Sequence, residues 1–147
     1  MNLNEPVEAS VRIEASAEAL FPYFTVADQL MKWMGVSAEL APWPGGVFRV
    51  NVTGKNIAVG EFVEVTPKSR VVFTWGWEDS DVLAPGTSTV EVSLVEEGDE
   101  TVVTLRHLDL VGEQAEMHKQ GWDHYLTRLA TAGIGGDPGH DPFRDGA

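Results

Sequence analysis

His118-Lys119-Gln120-Gly121-Trp122-Asp123-His124-Tyr125-Leu126-Thr127-Arg128-Leu129 decides the fold of this chain. His118, Trp122, Tyr125, Leu126 and Leu129 recur at spacings of three and four, which places them on one stripe of a helix. Gly121 interrupts the pattern, because a glycine inside a helix costs about 1 kcal/mol relative to alanine. A sequence keeps such a glycine where another backbone or a large ring must approach the helix closely. The spacing therefore predicts a long helix over 112–132, with Gly121 and Trp122 turned toward a partner surface.

The preceding residues supply that surface. Val7, Ala9, Val11 and Ile13 alternate as a first strand. Ser16 is placed to cap a short helix carrying Ala19, Leu20, Phe21 and Phe24, which Pro22 shortens or bends by removing one backbone bond. Thr25 and Asp28 form a capping-box-like pair ahead of a second short helix with Leu30, Met31, Trp33 and Met34. From Gly35 the period changes to two, and strands are read over 36–40, 48–52, 57–65, 71–77, 87–95 and 101–110. Val71, Phe73, Trp75 and Trp77 share one face of their strand. Pro42-Trp43-Pro44-Gly45-Gly46, Gly54-Lys55-Asn56, Pro67-Lys68-Ser69 and Glu96-Glu97-Gly98-Asp99-Glu100 are the turns between them, and 78–86 is a polar, acidic loop. Strands joined in series by short turns make an antiparallel meander, so the fold class is α+β.

Residues 1–132 read as a single domain, and 133–147, rich in Gly and Pro, as a flexible tail. The 23 acidic against 10 basic residues give a net charge of −13, spread along the chain. That charge repels phosphate backbones and anionic membrane surfaces, so neither nucleic acid nor membrane is an expected partner. No cysteine is present, which removes disulfides, thiolate nucleophiles and zinc-thiolate sites together. Met1 to Pro6 carry no basic or apolar leader and no apolar run approaches a membrane span, so a cytoplasmic protein is expected.

Trp33 stands ahead of Pro44-Gly45-Gly46-Val47-Phe48-Arg49, and Gly60 ahead of Glu64-Val65-Thr66-Pro67 and Val72-Phe73-Thr74-Trp75. Thr101-x-x-Thr104-Leu105-x-His107 and His118-x-x-Gly121-Trp122-x-x-x-Leu126-x-x-Leu129 follow in order. Over 7–130 this set resembles the family named for the activator of the 90-kDa heat-shock protein ATPase, within the START-like (SRPBCC) superfamily. The resemblance implies a helix-grip fold: a curved antiparallel sheet of six to seven strands wrapped around a long C-terminal helix, with two short helices after the first strand. It also implies an apolar cavity between sheet and helix. START-like proteins bind lipids, hormones or polyketides there, and a few cyclise, dehydrate or sequester them. The implied partner is a hydrophobic small molecule, polyketide- or lipid-like. The family's two-domain co-chaperone implies a chaperone as the other, although this chain has room only for its C-terminal-type domain.

The candidate ligand-binding residues are Trp33, Phe48, Phe62, Phe73, Trp75, Trp77, His107, His118 and Trp122. Each ring either fills the core or walls a pocket. His107 shares a strand face with Val103 and Leu105, and His118 lies on the inward stripe of the helix. Both are either satisfied core histidines or groups that hydrogen-bond a bound carbonyl or hydroxyl. Asp109, Asp123 and Tyr125 are available helpers, but no spacing compels an acid–base pair and no catalytic residue is assigned. His118 and His124, six apart, do not share a helix face, so no metal is expected, and Asp79 and Asp81 read as a solvated loop. No cofactor fingerprint, phosphate loop or nucleophile elbow is present. Three functions remain: a small-molecule binder, a chaperone-contacting module, and an enzyme or self-sacrificing resistance protein. In the third, by analogy alone, Gly121 would supply a reactive α-hydrogen. An exposed sheet edge leaves both monomer and homodimer open.

Overall fold

The computed structural model describes residues 5–110 and 112–144. Met1–Asn4, part of the stretch in which no leader is read, and 145–147 of the expected tail lie outside the described residues. The chain runs β1 (Val7–Ile13), α1 (Ala17–Leu20), α2 (Pro22–Thr25), α3 (Ala27–Leu30), β2 (Ser37–Leu40), β3 (Val47–Asn51), β4 (Ile57–Thr66), β5 (Arg70–Trp75), β6 (Ser88–Glu97), β7 (Glu100–Leu108) and α4 (Gln114–Ala132). All seven strands form one sheet in the order β1-β7-β6-β5-β4-β3-β2, and every neighbouring pair is antiparallel. α4 packs across it and contacts β1.

Alternation decides which side of the sheet faces the helix. In β6, Ser88, Val90, Val92 and Leu94 are buried, while Glu91 turns outward. On the outer side Glu8, Arg106, Glu91, Arg70 and Glu64 link five strands through ion pairs of 3.1–3.7 Å. Such half-exposed pairs are worth about 0–1 kcal/mol each, so they mark the wet face more than they stabilise it. The inner face holds the energy. Phe48 stacks on Phe73 with centroids 4.0 Å apart, and Phe62 meets both rings edge-on. Each buried aromatic or aliphatic side chain of this kind contributes about 1.5–3 kcal/mol.

β4 bends where its register shifts between Phe62 and Glu64, a bulge that adds curvature to the sheet. Two residues upstream, a side chain on Gly60 would place its Cβ 1.9 Å from the carbonyl oxygen of Thr74, so only glycine fits there. The β6–β7 hairpin closes more tightly than its acidic sequence suggests. Glu96 pairs with Thr101 and Glu97 with Glu100, leaving Gly98-Asp99 as a two-residue turn with Gly98 at φ 66°.

The segment after β1 corrects the expected local detail. Ser16 does cap α1 by accepting from the Ala19 amide at 3.1 Å. Pro22 sits at the first position of a separate turn, where its missing amide costs nothing, so three short helical pieces replace the expected two. Thr25 and Asp28 make no capping box: α3 starts from Val26, and the Thr25 hydroxyl donates back to the Phe21 carbonyl.

The Gly/Pro-rich stretch read as a tail lies back along α4. The Arg128 guanidinium donates to the carbonyls of Trp33 at 3.0 Å and Pro138 at 3.4 Å. Asp141, 3 % exposed, accepts from the Tyr125 hydroxyl and the Phe143 amide and bonds His124. Phe143, in a single 3-10 turn (Pro142–Arg144), stacks on the His124 ring at 3.9 Å.

Candidate functional site

A cavity of about 650 Å³ opens between α4, the end of β5 with the loop after it, and the β3–β4 turn. Trp75, Trp77, Trp122, Met34 and Met117 give it aromatic and thioether walls, beside polar residues such as Thr53, Asn56 and Gln114. Val82, Met117 and Phe143, 68 %, 60 % and 41 % exposed, form an apolar rim. Glu78, Asp79 and Asp81 bring carboxylates to the same rim, and no Lys or Arg lines the space. Among the described residues no three His, Asp or Glu side chains converge to hold a metal ion.

Of the nine candidate residues, Trp75, Trp77, His118 and Trp122 line this cavity. Trp33, Phe48, Phe62, Phe73 and His107 do not; at 0–3 % exposure they are core. Trp33 packs edge-on against Phe24 and donates its indole N–H to the Tyr23 carbonyl at 3.0 Å. His107 stands behind the wall, bonded to the indole of Trp122.

The two histidines are fixed by their indole partners. An indole N–H only donates, so a ring nitrogen that receives it must carry a lone pair. Trp122 Nε1 donates to His107 Nδ1 at 3.0 Å; the His107 proton is therefore on Nε2, 2.8 Å from Ser88 Oγ. The Ser88 hydroxyl donates to the Trp75 carbonyl at 2.7 Å. Trp75 Nε1 in turn donates to His118 Nε2 at 3.3 Å, and His118 Nδ1–H donates to the Gln114 carbonyl at 2.8 Å. The relay is thus two short chains of bonds, one from Trp122 to the Trp75 carbonyl and one from the Trp75 indole to the Gln114 carbonyl, that meet at Trp75.

Both rings are held neutral. Burial, with the His118 ring 4.9 Å away, pushes His107 down to about 2. Burial also lowers His118, partly offset by its bond to the Gln114 carbonyl. With every ring nitrogen already paired, neither histidine has a free lone pair for a substrate proton or a free N–H for a ligand. His107 lies in the core with both ring nitrogens bonded, and His118 lines the cavity with both of its own bonded. Ser88 was missed, although a serine at an inward position of an otherwise apolar strand face was the available signal. Tyr125 and Phe143 also line the cavity. Burial and the bond to Asp141 raise the Tyr125 phenol above its ordinary range. Burial acts to raise Asp141, but its bonds from Tyr125, Phe143 and His124 outweigh that and keep the carboxyl below its ordinary value.

Gly121 requires a correction. Nothing lies within 4 Å of where its Cβ would stand, so no ring or backbone approaches it; it faces the cavity. The close approach expected there occurs at Gly133, where a Cβ would sit 2.8 Å from Leu20 Cδ2.

Residues 14–133 match the family described as activator of Hsp90 ATPase homolog 1-like protein. The AHSA1-like protein of Rhizobium etli is 39 % identical with a TM-score of 0.73, over 97 % of this chain and 91 % of that one. DynU16, from the dynemicin biosynthetic locus, superposes with a TM-score of 0.80 at 20 % identity over 92 % of this chain. The alignment covers 49 % of DynU16, so this chain spans about half its length. An Hsp90 activator from Plasmodium falciparum gives a TM-score of 0.71 at 24 % identity, over 86 % of this chain and 94 % of that one. These last two likenesses are of fold. Among curated proteins there is no significant match. No helix among the described residues is long and apolar enough to cross a membrane. With its seven-stranded antiparallel sheet closed over α4, the chain belongs to the activator of Hsp90 ATPase homolog 1-like family, of START-like helix-grip fold.

Proposed function

We propose that this protein binds an apolar small molecule with a flat ring system, polyketide-like in shape and neutral or cationic in charge, in the cavity between sheet and α4. The carrying observation is the cavity of about 650 Å³ with indole walls, an exposed apolar rim and no basic lining residue. Its size falls within the roughly 300–1,000 Å³ typical of ligand sites. With Glu78 already paired to Arg49, a fatty-acid carboxylate would meet Asp79 and Asp81 at the rim, which favours ring systems over anionic lipids. The fully paired histidines favour holding a ligand over turning it over. Kinship of fold with DynU16, a protein of a natural-product locus, supports the same reading.

Titration with N-phenyl-1-naphthylamine, a neutral two-ring-system amine, tests it through quenching of tryptophan emission and thermal shift. Saturable quenching in the wild type and weaker binding in Trp77→Ala are expected, since Trp77 is a half-buried wall. Saturating ligand at about 100 times Kd should add roughly 2.7 kcal/mol of stability. No saturable change with this probe or with other neutral and amine-bearing aromatics would end the proposal.

A second reading, docking on a chaperone, has one observation in its favour: Trp43, 60 % exposed in the turn before β3. Chaperone ATPase rates unaffected by the protein, or equally affected by Trp43→Ser, would remove it.

A further inference from the structure

We propose that Gly121 is the specificity-determining position of the cavity: its bare backbone is the floor on which a planar ring lies, and its missing side chain sets the ring size admitted. This rests on the reading of the cavity as a ligand site. α4 faces the cavity with Gln114, Met117, His118, Gly121, Trp122 and Tyr125. Five of these six are large, and Gly121 is the gap in the row.

Neither backbone nor packing asks for that gap. Among the described residues, every other glycine has either a left-handed φ or a Cβ position 3.0 Å or less from a neighbouring atom. Gly121 has neither, and it sits inside a helix, where glycine is disfavoured. The free chain would be more stable with alanine there. What glycine supplies is empty volume facing Trp75 and Trp77, whose rings stand edge-to-face 5.2 Å apart on the opposite wall. An aromatic plane seated there touches α4 backbone on one side and indole on the other, an arrangement that a single methyl on residue 121 would lift.

The test combines melting with N-phenyl-1-naphthylamine titration of wild type, Gly121→Ala and Gly121→Leu. Gly121→Ala should melt roughly 4 °C higher than wild type, because helix propensity improves in vacant space. Its affinity for the probe should fall about fourfold, the equivalent of about one lost methylene contact. Gly121→Leu should lose saturable binding while remaining folded. A Gly121→Leu protein that binds as wild type overturns the inference and leaves the cavity reading standing. If Gly121→Leu does not fold, Gly121→Ala decides: affinity within about twofold of wild type, or a lowered melting temperature, overturns it. A wild type that shows no saturable binding overturns the cavity reading and this inference together.

Discussion

Acid should destabilise this protein through His107 before its carboxylates protonate. The ring is 0 % exposed, neutral, and held at about 2, whereas in the unfolded chain it titrates near 6.5. A depressed folded value means that stability is complete above about pH 6.5 and is lost as pH falls toward 2, because only the unfolded chain takes up the proton. From pH 7.5 to 4.5 that uptake removes roughly 2.7 kcal/mol, a slope near 1.36 kcal/mol per pH unit below 6. His118, also lowered, acts in the same direction. Asp141, held below its ordinary 3.8, contributes only under this window. Urea unfolding at several pH values, followed by tryptophan emission, measures the slope. His107→Gln, which can still accept from Trp122 and donate to Ser88 but cannot titrate, should be shallower by about one proton over the same range. Equal slopes in the two proteins would refute the reasoning. So would an NMR titration in which the His107 ring protonates with a midpoint between about 5 and 7 in the folded state.

Phe48→Ala, which deletes a fully buried ring stacked on Phe73, should cost about 3–5 kcal/mol in urea unfolding. Tyr125→Phe removes one donor from the buried Asp141 carboxylate and should cost about 1–3 kcal/mol. It should also raise amide exchange across 137–144, and protection unchanged there would show that His124 and the Phe143 amide suffice to hold the segment.

Strands and long helix were legible because their signals are local: parity in β3, β5, β6 and β7, and a three–four spacing in α4. The family motifs were legible for the same reason. What each ring touches was not. Parity turns Phe48, Phe73 and Trp75 to the same side of the sheet, but whether they meet one another or an empty space depends on the distance between layers. The histidine relay joins β6, β7 and α4, and the Asp141 cluster joins α4 to residues beyond it; neither leaves a local spacing to read. Gly121 was noticed for the right anomaly and given the wrong cause, because sequence alone does not separate a glycine that admits a neighbour from one that leaves room.

The indole–imidazole relay has a consequence for how such a domain diversifies. Trp75 and Trp122 direct their polar edges inward, into bonds that hold the scaffold, and present carbon to the opening. On the proposed binding role, selection among guests would be left to contour and to the charge at the entrance. Exchanges at Val52, Val82 or Met117, none of which takes part in the relay, would retune the guest while the buried bonding stays intact.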